Sequence, residues 1–179
     1  MSATPEIDNY HHGNLRSALI GTALNALEQD GPAALSLRGL AEPLLAGNRV
    51  FAGTGSGRVV ALDLVSGSPV WERRVAEPTG RSELDRLVDV DGNLILENGG
   101  LFVSTFQGKL AVLDEDSGRI YWDFDISSAN MMSSLGGVLF VADNQGVVRA
   151  VDQRSGNELW KQEGLIARQL TGTAIHNDL

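Results

Sequence analysis

"VVALDLVSGSPVW", residues 59–71, is the stretch on which the fold turns. An apolar, β-branched run ends on Asp63, a Ser-Gly pair turns the chain at Ser66–Gly67, and a second run carries Trp71. The same text returns as "LAVLDEDSGRIYW" at 110–122 and as "VRAVDQRSGNELW" at 148–160. Trp71, Trp122 and Trp160 stand 51 and 38 residues apart, and so do Asp63, Asp114 and Asp152, and Gly67, Gly118 and Gly156. Gly57, Gly108 and Gly146 keep the same two intervals. Four markers in one register make a repeat. A period near 40 residues holding about four short strands is the signature of a β-propeller blade.

Each marker has a structural task. The glycines suit hairpin turns that need positive φ. Asp and Ser side chains can bond the amides of a turn. Trp offers a large apolar face for locking one blade on its neighbour, with an indole N–H that seeks a carbonyl. The Trp and Asp sets therefore read as structural, blade-docking residues.

The first interval is the longer one, so an insertion lies between Val75 and Leu94. It reads "AEPTGRSELDRLVDVDGN" (76–93), acidic and polar with helical potential in its middle. A long insertion on one face of a repeat array is where binding usually sits.

Ahead of the repeats the pattern is different. Residues 1–13 are polar and expected to be flexible. From Asn14, a good N-cap, Leu15, Ala18, Leu19, Thr22, Ala23, Ala26 and Leu27 recur on one helical face until "DGP" at 30–32 stops the run. The expected organisation is a flexible 1–13, a helix and an incomplete helix-turn-helix over 14–41, and a propeller unit over 42–179. The fold class is mainly β: a partial propeller of about three blades, an open arc preceded by one N-terminal α-helix.

Composition narrows the function. The formal net charge is −9 and there are two lysines, Lys109 and Lys161, which disfavours a nucleic-acid partner. There is no Cys, so disulfides, Cys-ligated metal and thiol catalysis are excluded for this sequence. The N-terminal text has no basic n-region or apolar h-region of a signal peptide, and no stretch approaches a membrane span. As written, the chain is expected in the cytosol. His11 and His12 lack further ligands nearby, and "GTGSG" at 53–57 lacks the Lys and helix of a phosphate loop, so it reads as a hairpin turn. No nucleophile–base pair is visible, and no cofactor, metal or small-molecule substrate is expected.

The form "VVALDLVSGSPVW" resembles the quinoprotein-like repeat shared by quinone-dependent dehydrogenases and the BamB family of outer-membrane β-barrel assembly factors. "TGRSELDRLVDVDGN" (79–93) and "LWKQEGLIARQLTG" (159–172) look like BamB's own inter-blade segments, and the resemblance covers about Leu35 to Leu179. It implies a non-enzymatic propeller lipoprotein on the periplasmic face of the outer membrane, docking on the periplasmic domains of BamA. It also implies docking residues: the family's Leu-x-Leu-Arg loop matches Leu35, Leu37 and Arg38, and its Asp-Val-Asp loop matches Asp89 and Asp91. Two leucines two apart can present one apolar face, Arg offers a bidentate fork, and paired aspartates can accept from a partner's Arg or amides.

Residues 9–41, "NYHHGNLRSALIGTALNALEQDGPAALSLRGLA", resemble the start of a TetR-type repressor. The recognition helix that would read bases does not follow, because Pro43 breaks the helical run and "NRVFAG" is already strand-like. The chain thus reads as chimera-like. The functional expectation is an interaction scaffold of the BamB type; the alternatives are a DNA-binding regulator and a quinoprotein-like dehydrogenase. Three blades of a propeller are expected to leave two open ends that invite self-association.

Overall fold

The structure, a computed structural model, describes residues 43–77, 90, 92–106, 108–128 and 130–176. Among them the chain forms three four-stranded antiparallel sheets, each a meander of sequential strands. The first blade holds β1 (Leu44–Ala46), β2 (Arg49–Gly53), β3 (Arg58–Asp63) and β4 (Pro69–Arg74). The second holds β5 (Ile95–Glu97), β6 (Gly100–Ser104), β7 (Gly108–Asp114) and β8 (Ile120–Ile126). The third holds β9 (Ser133–Leu135), β10 (Val138–Ala142), β11 (Val148–Asp152) and β12 (Glu158–Gln162). Among the described residues no helix is long and apolar enough to cross a membrane.

The repeat read in the text is a repeat in register. Phe51 opposes Ala61, which opposes Trp71; Phe102, Val112 and Trp122 form the same row, and so do Phe140, Ala150 and Trp160. The Phe and Trp rings of each row sit 5.9, 6.2 and 6.0 Å apart in tilted pairs. Each blade also has a register shift just past its Trp row, between Ala61 and Leu62, Val112 and Leu113, and Ala150 and Val151. A bulge at that point sharpens the local twist and aims the Trp side chain off the end of the row.

The two middle strands of the first and second blades are buried on both faces, which explains their nearly continuous apolar text, while in the third Val138 and Phe140 are only half-buried. The outer strand β8 alternates exposed and half-buried positions along Ile120–Phe124, the pattern of a sheet edge facing water. The core lies between blades. One cluster joins Phe51, Val59 and Ala61 to Leu101, Val103, Ala111 and Leu113. A second joins Phe102, Leu110 and Val112 to Leu139, Val141 and Val151. Fully burying one such side chain contributes about 1.5–3 kcal/mol, so each blade stabilises its neighbour.

Both outer faces of the arc carry exposed apolar side chains: on the first blade Leu45, the partner of Val50, is 55% exposed although Val50 and Leu62 are buried, and on the third Leu135 is 55% and Trp160 48% exposed. The helix and the helix-turn-helix text of 14–41, the flexible 1–13, and Leu35, Leu37, Arg38, Asp89 and Asp91 lie outside the described residues.

Candidate docking interface at the first blade junction

The junction between the first and second blades is built from β2 and β3 against β6 and β7, from β4 against the turn after β7, and from the two ends of the insertion. Trp71 leaves β4 and lies on the second blade, where its Nε1 donates to the Glu115 carbonyl at 2.9 Å. Its ring covers Gly118: a Cβ there would stand 2.6 Å from Trp71 Cε3. Arg73 Nε donates to the Gly118 carbonyl at 2.8 Å, and Arg49 reaches the Glu115 carbonyl and pairs with Asp116 at 2.9 Å. The latch recurs one blade on. Trp122 Nε1 donates to the Gln153 carbonyl at 3.0 Å, and its ring covers Gly156, where a Cβ would stand 2.7 Å from Cδ2. Trp160 occupies the same row, and its Nε1 makes no hydrogen bond among the described residues.

The aspartates of the repeat do a local job. Asp63 Oδ1 accepts from the Val65 and Ser66 amides and the Ser66 hydroxyl. Asp114 repeats this with Ser117, and Asp152 with Arg154 and Ser155. They brace the turns that carry Gly67, Gly118 and Gly156, the last two covered by a tryptophan, and among the described residues they bond no residue of a neighbouring blade. The Ser117 hydroxyl, the Tyr121 hydroxyl and the Ser117 amide hold the Asp114 carboxyl down at about 2. Asp63 is lowered chiefly by the Ser66 amide and hydroxyl, and Asp152 by the Ser155 hydroxyl and amide. Hydrogen bonds donated to an ionised carboxylate favour the charged form.

Both ends of the insertion are anchored in the core. At its start, the Val75 and Ala76 amides donate to the Gly57 carbonyl at 2.8 and 3.3 Å, and both side chains are buried. At its end, Val90 is 0% exposed and its amide donates to the Thr54 carbonyl at 3.3 Å. Asn93 then crosses to the third blade: its Nδ2 donates to the Met132 carbonyl at 3.1 Å, and its Oδ1 accepts from the Met132 amide at 2.6 Å. Val90 and Asn93 are anchoring positions that their residue types do not announce. Val90 is hidden by its acidic neighbours, and Asn93 reads as an ordinary turn residue before a strand.

A family model described as outer membrane protein assembly factor BamB matches residues 17–162. The chain belongs to the BamB family. The BamB of Pseudomonas aeruginosa is 45% identical over 141 residues, which is 79% of this chain and 37% of that protein. The BamB of Escherichia coli K12 is 35% identical over 143 residues, 80% of this chain and 36% of that protein. The crystal structure of BamB from Moraxella catarrhalis superposes with a TM-score of 0.68 at 33% identity, covering 73% of this chain and 40% of that one. A europium-containing methanol dehydrogenase shares the fold, with a TM-score of 0.55 at 22% identity, 72% of this chain and 26% of that one. The chain therefore spans a little over a third of the length of the BamB proteins it matches. The family match begins at residue 17 and so takes in most of the stretch 9–41 that was expected to be repressor-like.

Proposed function

We propose that this chain is a non-catalytic scaffold of outer-membrane protein assembly that docks on the periplasmic domains of BamA, working on the periplasmic face of the outer membrane. The docking residues are Leu35, Leu37 and Arg38 in one segment and Asp89 and Asp91 in the other. One observation carries the reading: the insertion that ends in Asp-Val-Asp is clamped at Val75–Ala76 and again at Val90, at the junction of two blades. A segment held at both ends is an interaction element on a rigid support, and its carboxylates suit a partner's Arg or backbone amides. The propeller unit of 42–179 supplies that support.

The test is binding of the full chain to soluble BamA periplasmic domains. Native chain is expected to bind, and Asp89→Ala with Asp91→Ala to weaken binding by tenfold or more. Equal affinity of the two would discard the reading. The repressor-like text of 9–41 rests on sequence resemblance; a mobility-shift assay at low salt is expected to give no shifted DNA, given the acidic chain. Quinoprotein chemistry is not adopted, because the likeness to the dehydrogenase is one of fold. The exposed row at Trp160 favours self-association through the third blade, which sedimentation at rising concentration would reveal as a growing species.

A further inference from the structure

We infer that the groove between the second and third blades is a binding site for an arginine side chain presented by a partner protein, received by the Glu97 carboxylate and the Gln153 carbonyl. The site stands apart from the BamA reading. It lies at the β5–β6, β9–β10 and β11–β12 turns, the opposite strand ends from the insertion between β4 and β5.

The repeat supplies a template for the occupant. Arg49, Gly100 and Val138 hold one position, each the cross-strand partner of its blade's repeat aspartate, Asp63, Asp114 or Asp152. At the first junction Arg49 crosses from its blade to the next. Its Nη1 donates to the Glu115 carbonyl, which also takes the Trp71 indole, and its Nη2 pairs with Asp116 at 2.9 Å. One carbonyl thus receives an indole and a guanidinium. At the second junction that carbonyl belongs to Gln153, and it takes the Trp122 indole at 3.0 Å. Gly100 stands there in place of the arginine, and Arg154 in place of Asp116.

The space that Arg49 fills at the first junction is an open cavity of about 1040 Å³ at the second, bordered by Gly100, Phe102, Val112, Trp122 and Gln153. Backbone conformation does not ask for glycine at 100, because its φ is not positive. Val112 is what excludes a side chain: a Cβ on Gly100 would stand 2.9 Å from Val112 Cγ2, where the first blade has the smaller Ala61 in the same row. The far rim is open, since a Cβ on Gly136 or Gly137 would meet nothing within 4 Å. The polar groups suit a guanidinium. Glu97 lines the cavity half-buried, and its Oε2 accepts from Gln153 Nε2 at 2.8 Å, which holds the carboxylate in place and leaves Oε1 for a ligand. A planar fork can bond a carboxylate and a carbonyl together, which the point charge of an ammonium does less well. Arg154 borders the cavity as an exposed side chain with no ion pair among the described residues, so a carboxylate beside the arginine is favoured.

NMR of the full chain tests this, by titration with a blocked Gly-Arg-Asp-Gly peptide at millimolar concentration and with the same peptide carrying citrulline or lysine for arginine. The arginine peptide is expected to shift the Trp122 indole N–H and the Gln153 side-chain amide saturably. The Trp71 indole, whose groove Arg49 fills, is expected to stay in place. Citrulline or lysine is expected to weaken binding tenfold or more. Glu97→Gln keeps an acceptor for Gln153 and is expected to weaken binding about tenfold. Gly100→Arg gives the groove the chain's own guanidinium and is expected to abolish the peptide's effect. Should Val112 keep that variant from folding, Gly100→Arg with Val112→Ala makes the room that Ala61 makes in the first blade. Absence of a saturable shift at Trp122 and Gln153 would overturn the site. So would equal affinity for the citrulline or lysine peptide, or native affinity in the Glu97→Gln or Gly100→Arg chain. Loss of BamA binding would leave it standing.

Discussion

Trp122 and Trp160 are spelled into the same repeat, share the same row with a Phe and an alanine or valine, and are both tilted on that Phe, at 55° and 46°. Trp122 has a carbonyl for its N–H and a glycine beneath its ring, while Trp160 is 48% exposed. Part of the difference lies in the strand itself, since Trp122 stacks on Phe124 at 6.0 Å where β12 has Gln162; the rest lies in the neighbour, because the third blade supplies Gln153 and Gly156 to Trp122. A blade's own fold aims the tryptophan, and the next blade turns that aim into stability. The indole contributes by contact area and one hydrogen bond, and both need a partner surface.

Substitution should separate the two sites widely. Trp122→Ala is expected to destabilise by about 3–5 kcal/mol, the range for losing a large aromatic from a packed site. Trp160→Ala is expected to cost under about 1 kcal/mol, because most of what it would lose is already in water. Urea denaturation of both variants measures this, and comparable losses would break the comparison. Next in size are the covered glycines. Gly118→Ala and Gly156→Ala each place a methyl against an indole ring, at backbone φ of 65° and 73°. Overpacking and the left-handed backbone together are expected to cost about 2–4 kcal/mol.

The smallest effect belongs to the braces. Asp114 has its carboxyl held at about 2, below the ordinary 3.8, so its stabilising contribution is complete above pH about 4 and is lost as the pH falls through about 2. Ser117→Ala is expected to let the carboxyl rise toward its ordinary value, so that Asp114 contributes less above pH about 4 and the acid-induced loss becomes smaller and ends at a higher pH. Carboxyl titration followed by NMR reads the shift directly. An unmoved titration would show that the turn, and not Ser117, holds the charge.

The repeat was legible because its residue types are demanded locally. The Asp-x-x-Ser-Gly turn needs an acceptor for its amides and a residue tolerant of positive φ, and those requirements leave fixed letters at fixed intervals. The packing of Val90 over Gly53 was not legible. "GTGSG" reads as a turn throughout, and the reason its first glycine has no side chain is a valine 37 residues later in the chain. Asn93 was hidden in the same way, since its two bonds go to Met132, 39 residues on and just ahead of β9.

Strand spacing, turn chemistry and blade identity follow from the amino-acid text, because each is settled by contacts within a few residues or across one hairpin. Which tryptophan is latched and which residues seat the ends of the acidic insertion were settled by tertiary packing. Those depend on two blades meeting, and close packing tests shape at ångström scale between residues that the text keeps far apart.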